Sequence, residues 1–111
     1  MNVLVEPLVK RNIFSSEEEA IQELVRDYVL RQVDSFSKEV RQYERKYGMN
    51  YGQFNQYLHE RSALLRSEKI SAEERQTLGK AVMEEEDVWL DWKVAREMLT
   101  SWLGLRQEIE A

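Results

Sequence analysis

The residues best suited to chemistry lie in one late stretch. Glu84-Glu85-Glu86-Asp87 is the densest run of carboxylates in the chain, and Asp91 follows it. On a helix Glu84, Asp87 and Asp91 share one face, at spacings of three and four. Hard cations take oxygen ligands of this kind, and a basic protein surface would be drawn to them. A solvated acidic face is the plainer reading, because no second ligand group is evident. Glu85 falls near the apolar line of the same helix, an odd place for a charge. Trp89, Trp92 and Trp102 stand on that helix too. Their spacing suits core aromatics, but they crowd into fourteen residues, and exposed aromatics are common interface anchors. Trp89, Trp92, Glu85, Asp91 and Trp102 therefore form the candidate partner-binding set.

Other reactive residues are scattered. His59 is the only histidine. A lone imidazole can act as a general base, but Gln56 stands where a Glu-x-x-His spacing would need its carboxylate, and no nucleophile is marked nearby. A surface or boundary histidine is expected. Tyr43, Tyr47, Tyr51 and Tyr57 could stack nucleic-acid bases, but their helical spacing suits packing better. Arg41, Arg45 and Lys46 make a small basic cluster offset by Glu39 and Glu44. No glycine-rich phosphate loop, Ser/His/Asp set or zinc spacing occurs. The sequence predicts no enzyme, no cofactor and no metal site.

Composition bounds the rest. The 111 residues hold 21 acidic and 16 basic side chains, a net charge of −5. Before Gly48 there are eight basic and nine acidic residues; after it, eight and twelve. This acidity disfavours phosphate contact, which needs a basic footprint, and suits a partner with a basic surface. There is no cysteine, so disulfides and Cys-based metal sites are excluded. No stretch reaches transmembrane length and no signal-peptide pattern opens the chain. A cytoplasmic protein without membrane contact is expected.

The elements that must position these residues are helices. Ser16 can cap a long helix, with Glu19 reaching back to it and Glu17 and Glu18 favoured by the helix dipole. Ile21, Leu24, Val25, Tyr28 and Val29 give it a broad apolar face. Val29, Val33, Phe36, Val40, Tyr43 and Tyr47 then step by four, three, four, three and four, a seam meant for another helix. Gly48 ends this helix as a left-handed C′ residue. Asn50 and Gln53 form a capping box, and Met49 and Phe54 a hydrophobic staple, for a second helix from Tyr51 to about Arg66. Ser71 and Glu74 open a third, weakened at Gly79 and expected to stop near Leu103, with Gly104 as its cap and a frayed tail after it. Val3, Leu4 and Val5 suggest a short N-terminal strand or an extended arm, and Pro7 suits the start of a short helix. The expectation is an all-α three-helix bundle with one long helix, an arm over 1–14 and a helical domain over 15–111.

Two stretches carry a resemblance. Leu8-Val9-Lys10-Arg11-Asn12-Ile13-Phe14-Ser15-Ser16, running into Glu17-Glu18-Glu19-Ala20-Ile21-Gln22-Glu23-Leu24-Val25, resembles the join between the two helices of ribbon-helix-helix antitoxins. Lys46-Tyr47-Gly48-Met49, with Tyr51 and Phe54 beyond, is similar to a motif of small prokaryotic helical proteins suspected of pairing with toxins. The resemblance implies a cognate toxin, bound by the helical C-terminal region through Trp89, Trp92 and the neighbouring carboxylates. A homodimer through the Val29–Tyr47 seam is also expected. A homo-oligomeric scaffold or adaptor is the alternative. A DNA-binding regulator, with residues 2–6 as an intermolecular strand, comes third, because that segment lacks the alternating polar residues that would read bases.

Overall fold

The computed structural model describes residues 2–110, and over them the chain is all-helical: α1 (Glu6–Lys10), α2 (Glu17–Tyr47), α3 (Tyr51–Leu65) and α4 (Ala72–Glu110). Met1 and Ala111, the outermost residues of the expected arm and helical domain, lie outside the described residues. The chain divides into two compact units. One is built from the residues up to Ser35 together with those from Leu99 onward, the other from Phe36–Met98.

Local chemistry sets most element ends. The Ser16 hydroxyl accepts the Glu19 backbone N–H at 3.1 Å. The Glu19 carboxylate turns back to accept the N–H of Ser15, one residue ahead of the cap. Gly48, at φ of 65°, halts α2, and its N–H closes the last turn on the Glu44 carbonyl. Two residues on, Asn50 and Gln53 each accept the other's backbone N–H through a side-chain oxygen, both at 2.8 Å, which completes the capping box. Ser71 accepts the Glu74 N–H at 3.1 Å to open α4. The Arg75 guanidinium donates to the carbonyls of Leu65 and Ser67, which fastens the connection between α3 and α4.

Residues 2–6 form neither a strand nor an extended arm. The Asn2 side chain accepts the Leu4 N–H, and the Asn2 carbonyl accepts the N–H groups of Val5 and Glu6. Such side-chain bonding bends the backbone away from extension. A turn and the start of α1 therefore stand where a ribbon would need a strand. The helix carries Pro7 in its first turn and a Glu6–Lys10 ion pair at 2.7 Å. Asn12, at φ of 60°, follows its end; Asn is among the few residues that take that conformation readily. The backbone N–H of Asn2 donates to Glu17 at the head of α2, and Val5 is buried.

The expected long helix is present as α2, with 31 residues, and α4 is longer still, at 39. The C-terminal boundary is corrected. Helix α4 neither stops near Leu103 nor frays after Gly104; it runs through Gly79 and Gly104 to Glu110. Glycine is common just past helix ends, but nothing after Gly104 breaks the helix, and Leu105, Arg106, Gln107 and Glu108 are all good helix formers.

In the second unit the core is Phe54, Leu58, Val82 and Trp92, with Tyr43, Tyr47, Tyr51, Tyr57, Leu78 and Val88 packed against it. In the first unit Val5, Ala20 and Val29 are buried, and Tyr28 meets Trp102 edge to face at 5.8 Å.

Candidate partner-binding face

The expected binding residues separate by depth. Trp92 has no exposed surface. Tyr43 stacks on it at 5.5 Å, Phe54 tilts against it at 5.2 Å and Tyr51 meets it edge to face at 5.7 Å. Trp92 is therefore a core residue and not a partner contact. It follows Val88 by four residues and precedes Ala95 by three, on the buried line of α4. Trp89 is half-buried; its indole N–H donates to Asn55 on α3 at 2.9 Å, and Tyr51 stacks on it at 6.4 Å. Trp102, also half-buried, belongs to the first unit. Asp91 is exposed. Among the described residues no three acidic or histidine side chains gather closely enough to hold a metal ion.

Glu85 is turned inward. It pairs with Arg61 of α3 at 3.2 Å, with the two side chains 14% and 25% exposed. Burial pushes the Glu85 carboxyl above the ordinary 4.5; Arg61 opposes that rise and Glu84 adds to it. Arg61 also donates to the Tyr57 hydroxyl and lies over its ring at 4.8 Å. Arg61 is not among the residues expected from the sequence, although a signal is present there. It stands seven residues after Phe54 and three after Leu58, on the apolar line of α3, just as Glu85 stands three after Val82 on that of α4. Opposite charges on two apolar lines are best placed against each other.

The seam on α2 is used within the chain at its C-terminal end. Tyr43 stacks on Trp92, and Tyr47 lies 4.7 Å from Phe54. Val29 is buried, and Val33, Phe36 and Val40 are half-buried. The open apolar side chains of α2 lie earlier, at Ile21, Leu24, Val25, Tyr28 and Leu30.

A groove of about 470 Å³ runs between α3 and α4 in the second unit, with Leu58 and Trp89 at its apolar part and His59, Ser62, Glu86 and Asp87 among its polar lining. His59 is exposed there. No family model, curated protein or solved structure matches the chain. Among the described residues no helix is long and apolar enough to cross a membrane.

Proposed function

We propose that this protein is an antitoxin-like module that binds and neutralises a protein toxin through its helical C-terminal region. The observation that carries the reading is the outer surface of α4. Large apolar side chains there stay open to solvent on successive turns, among exposed carboxylates. Apolar surface of this kind, rimmed by polar groups, marks interaction sites. The contacts expected of Trp92 pass to these outer residues, while Trp89 keeps an edge on the groove. The acid excess after Gly48 suits a basic partner, and the resemblance to antitoxins supplies the class of that partner.

The test is co-expression with the neighbouring open reading frame. Toxicity of the neighbour alone, its rescue by this protein and co-purification of the two would support the reading. A harmless neighbour that does not co-purify would overturn it.

A self-associating scaffold is the second reading. It is favoured by the open face of Ile21, Leu24, Val25 and Tyr28 on α2. Charges around that face are mixed and locally paired, Glu23 with Arg26 and Asp27 with Arg31, so a second copy could lie against it without strong repulsion. Sedimentation equilibrium separates the two: a monomer that still rescues leaves only the first.

A further inference from the structure

One face of α4 in the second unit has a defined pattern. Met83, Leu90, Val94 and Met98 follow one another at steps of seven, four and four, which is one side of a helix. They are 70%, 53%, 48% and 38% exposed. Exposed carboxylates border them: Glu84, Asp87 and Asp91 toward one side, Glu86 and Glu97 toward the other. On α4 the cations beside the last three are directed elsewhere, while Arg66 of α3 shares a groove with Leu90, Glu86 and Asp87. Lys93 lies over the Trp89 ring at 5.4 Å and Arg96 over the Tyr51 ring at 4.3 Å. Lys80 stands a turn ahead of Met83, at the far end of the stripe. The result is an apolar stripe between two acidic rims.

We infer that this stripe is the docking site for a basic amphipathic helix of the partner protein, an inference that rests on the function proposed above. The partner's apolar residues cover Leu90, Val94 and Met98, and its Lys or Arg side chains meet the rims. Helix-on-helix recognition uses anchors at this spacing, and charge complementarity sets which helix is accepted. A second copy of the same face is the wrong occupant. It would bring carboxylates against carboxylates, and like charges facing each other disfavour association.

The probe is a synthetic peptide of about 18 residues, long enough to hold a helix, with leucines on one face and lysines on the other. Its counterpart carries glutamates in place of the lysines. Binding is followed by the methyl NMR signals of Met83 and Met98. The lysine peptide should shift both signals, and the glutamate peptide should shift neither. Leu90→Ser with Val94→Ser leaves the charge unchanged and should weaken binding by about tenfold or more, as loss of central anchors does. Asp87→Asn with Asp91→Asn should weaken it, while Glu18→Gln with Glu68→Gln, removing the same charge elsewhere, should not. Equal binding of both peptides, or equal loss in the two charge variants, would overturn the inference. Rescue from a toxic neighbour that survives Leu90→Ser with Val94→Ser would overturn this surface and leave the antitoxin reading standing. Selective lysine-peptide binding alongside a harmless neighbour would do the reverse.

Discussion

Arg61 and Glu85 face each other at 3.2 Å between α3 and α4, yet the pair is not fully served: the second Glu85 oxygen and the Arg61 Nε are buried without a hydrogen-bond partner among the described residues. Partial burial of an ion pair sets its desolvation against its attraction. For Glu85 desolvation is the larger effect, and its carboxyl titrates above the ordinary 4.5. The folded state then holds a proton that the unfolded state has already released. Stability from this group is present at low pH and is lost as pH rises through that window. Glu85→Gln should remove the dependence. Melting temperatures of both proteins, taken from about pH 4 to pH 7 across the ordinary carboxylate range and above, should show wild type losing ground to the variant as pH rises. Parallel curves would refute this.

The tryptophans should differ sharply in what their loss costs. Trp92→Ala empties a fully covered site among Tyr43, Tyr51 and Phe54 and should destabilise by about 3–5 kcal/mol. Trp89→Ala removes a half-buried ring, its hydrogen bond to Asn55 and a stack on Tyr51, and should cost about 1–2 kcal/mol. Urea denaturation measures both. Equal costs would contradict the difference in depth between the two rings.

Three glycines should respond in opposite directions. Gly48 needs its left-handed backbone, so Gly48→Ala should cost about 1–2 kcal/mol. Gly104 and Gly79 sit within α4. A methyl at Gly104 meets nothing within 4 Å, and one at Gly79 meets Leu65 at 3.8 Å, an ordinary contact. Each should gain about 0.5–1 kcal/mol as Ala. Thermal melts of the three variants decide it, and destabilisation by Gly104→Ala would contradict an uninterrupted α4.

What can be read from the sequence follows the range of the interaction. Ser16, Asn50 and Ser71 each act on a backbone N–H three residues away, so the starts of α2, α3 and α4 are legible, as is the stop at Gly48. The end of α4 is not, because Gly104 looks the same at a helix end as within a helix. Nor is the fate of Val3, Leu4 and Val5, whose apolar run is drawn into a turn by the side chain and carbonyl of Asn2. At the candidate site, Trp92 and Trp89 differ by less than one turn of the helix, and only the packing of α3 and α2 decides which is enclosed. Glu85 looks misplaced on its helix, but its meaning lies in Arg61, twenty-four residues earlier.

The placement of the three indoles also gives the molecule an optical division. Trp102 stands in the first unit, whereas Trp89 and Trp92 stand in the second. Emission from a dry, aromatic-lined ring differs in colour and quenching from that of a half-wetted one. With Trp89 and Trp92 replaced by Phe, tryptophan emission would come only from the first unit, and with Trp102 replaced only from the second. Each unit thereby carries its own lamp, and the melting of either can be watched without attaching a label.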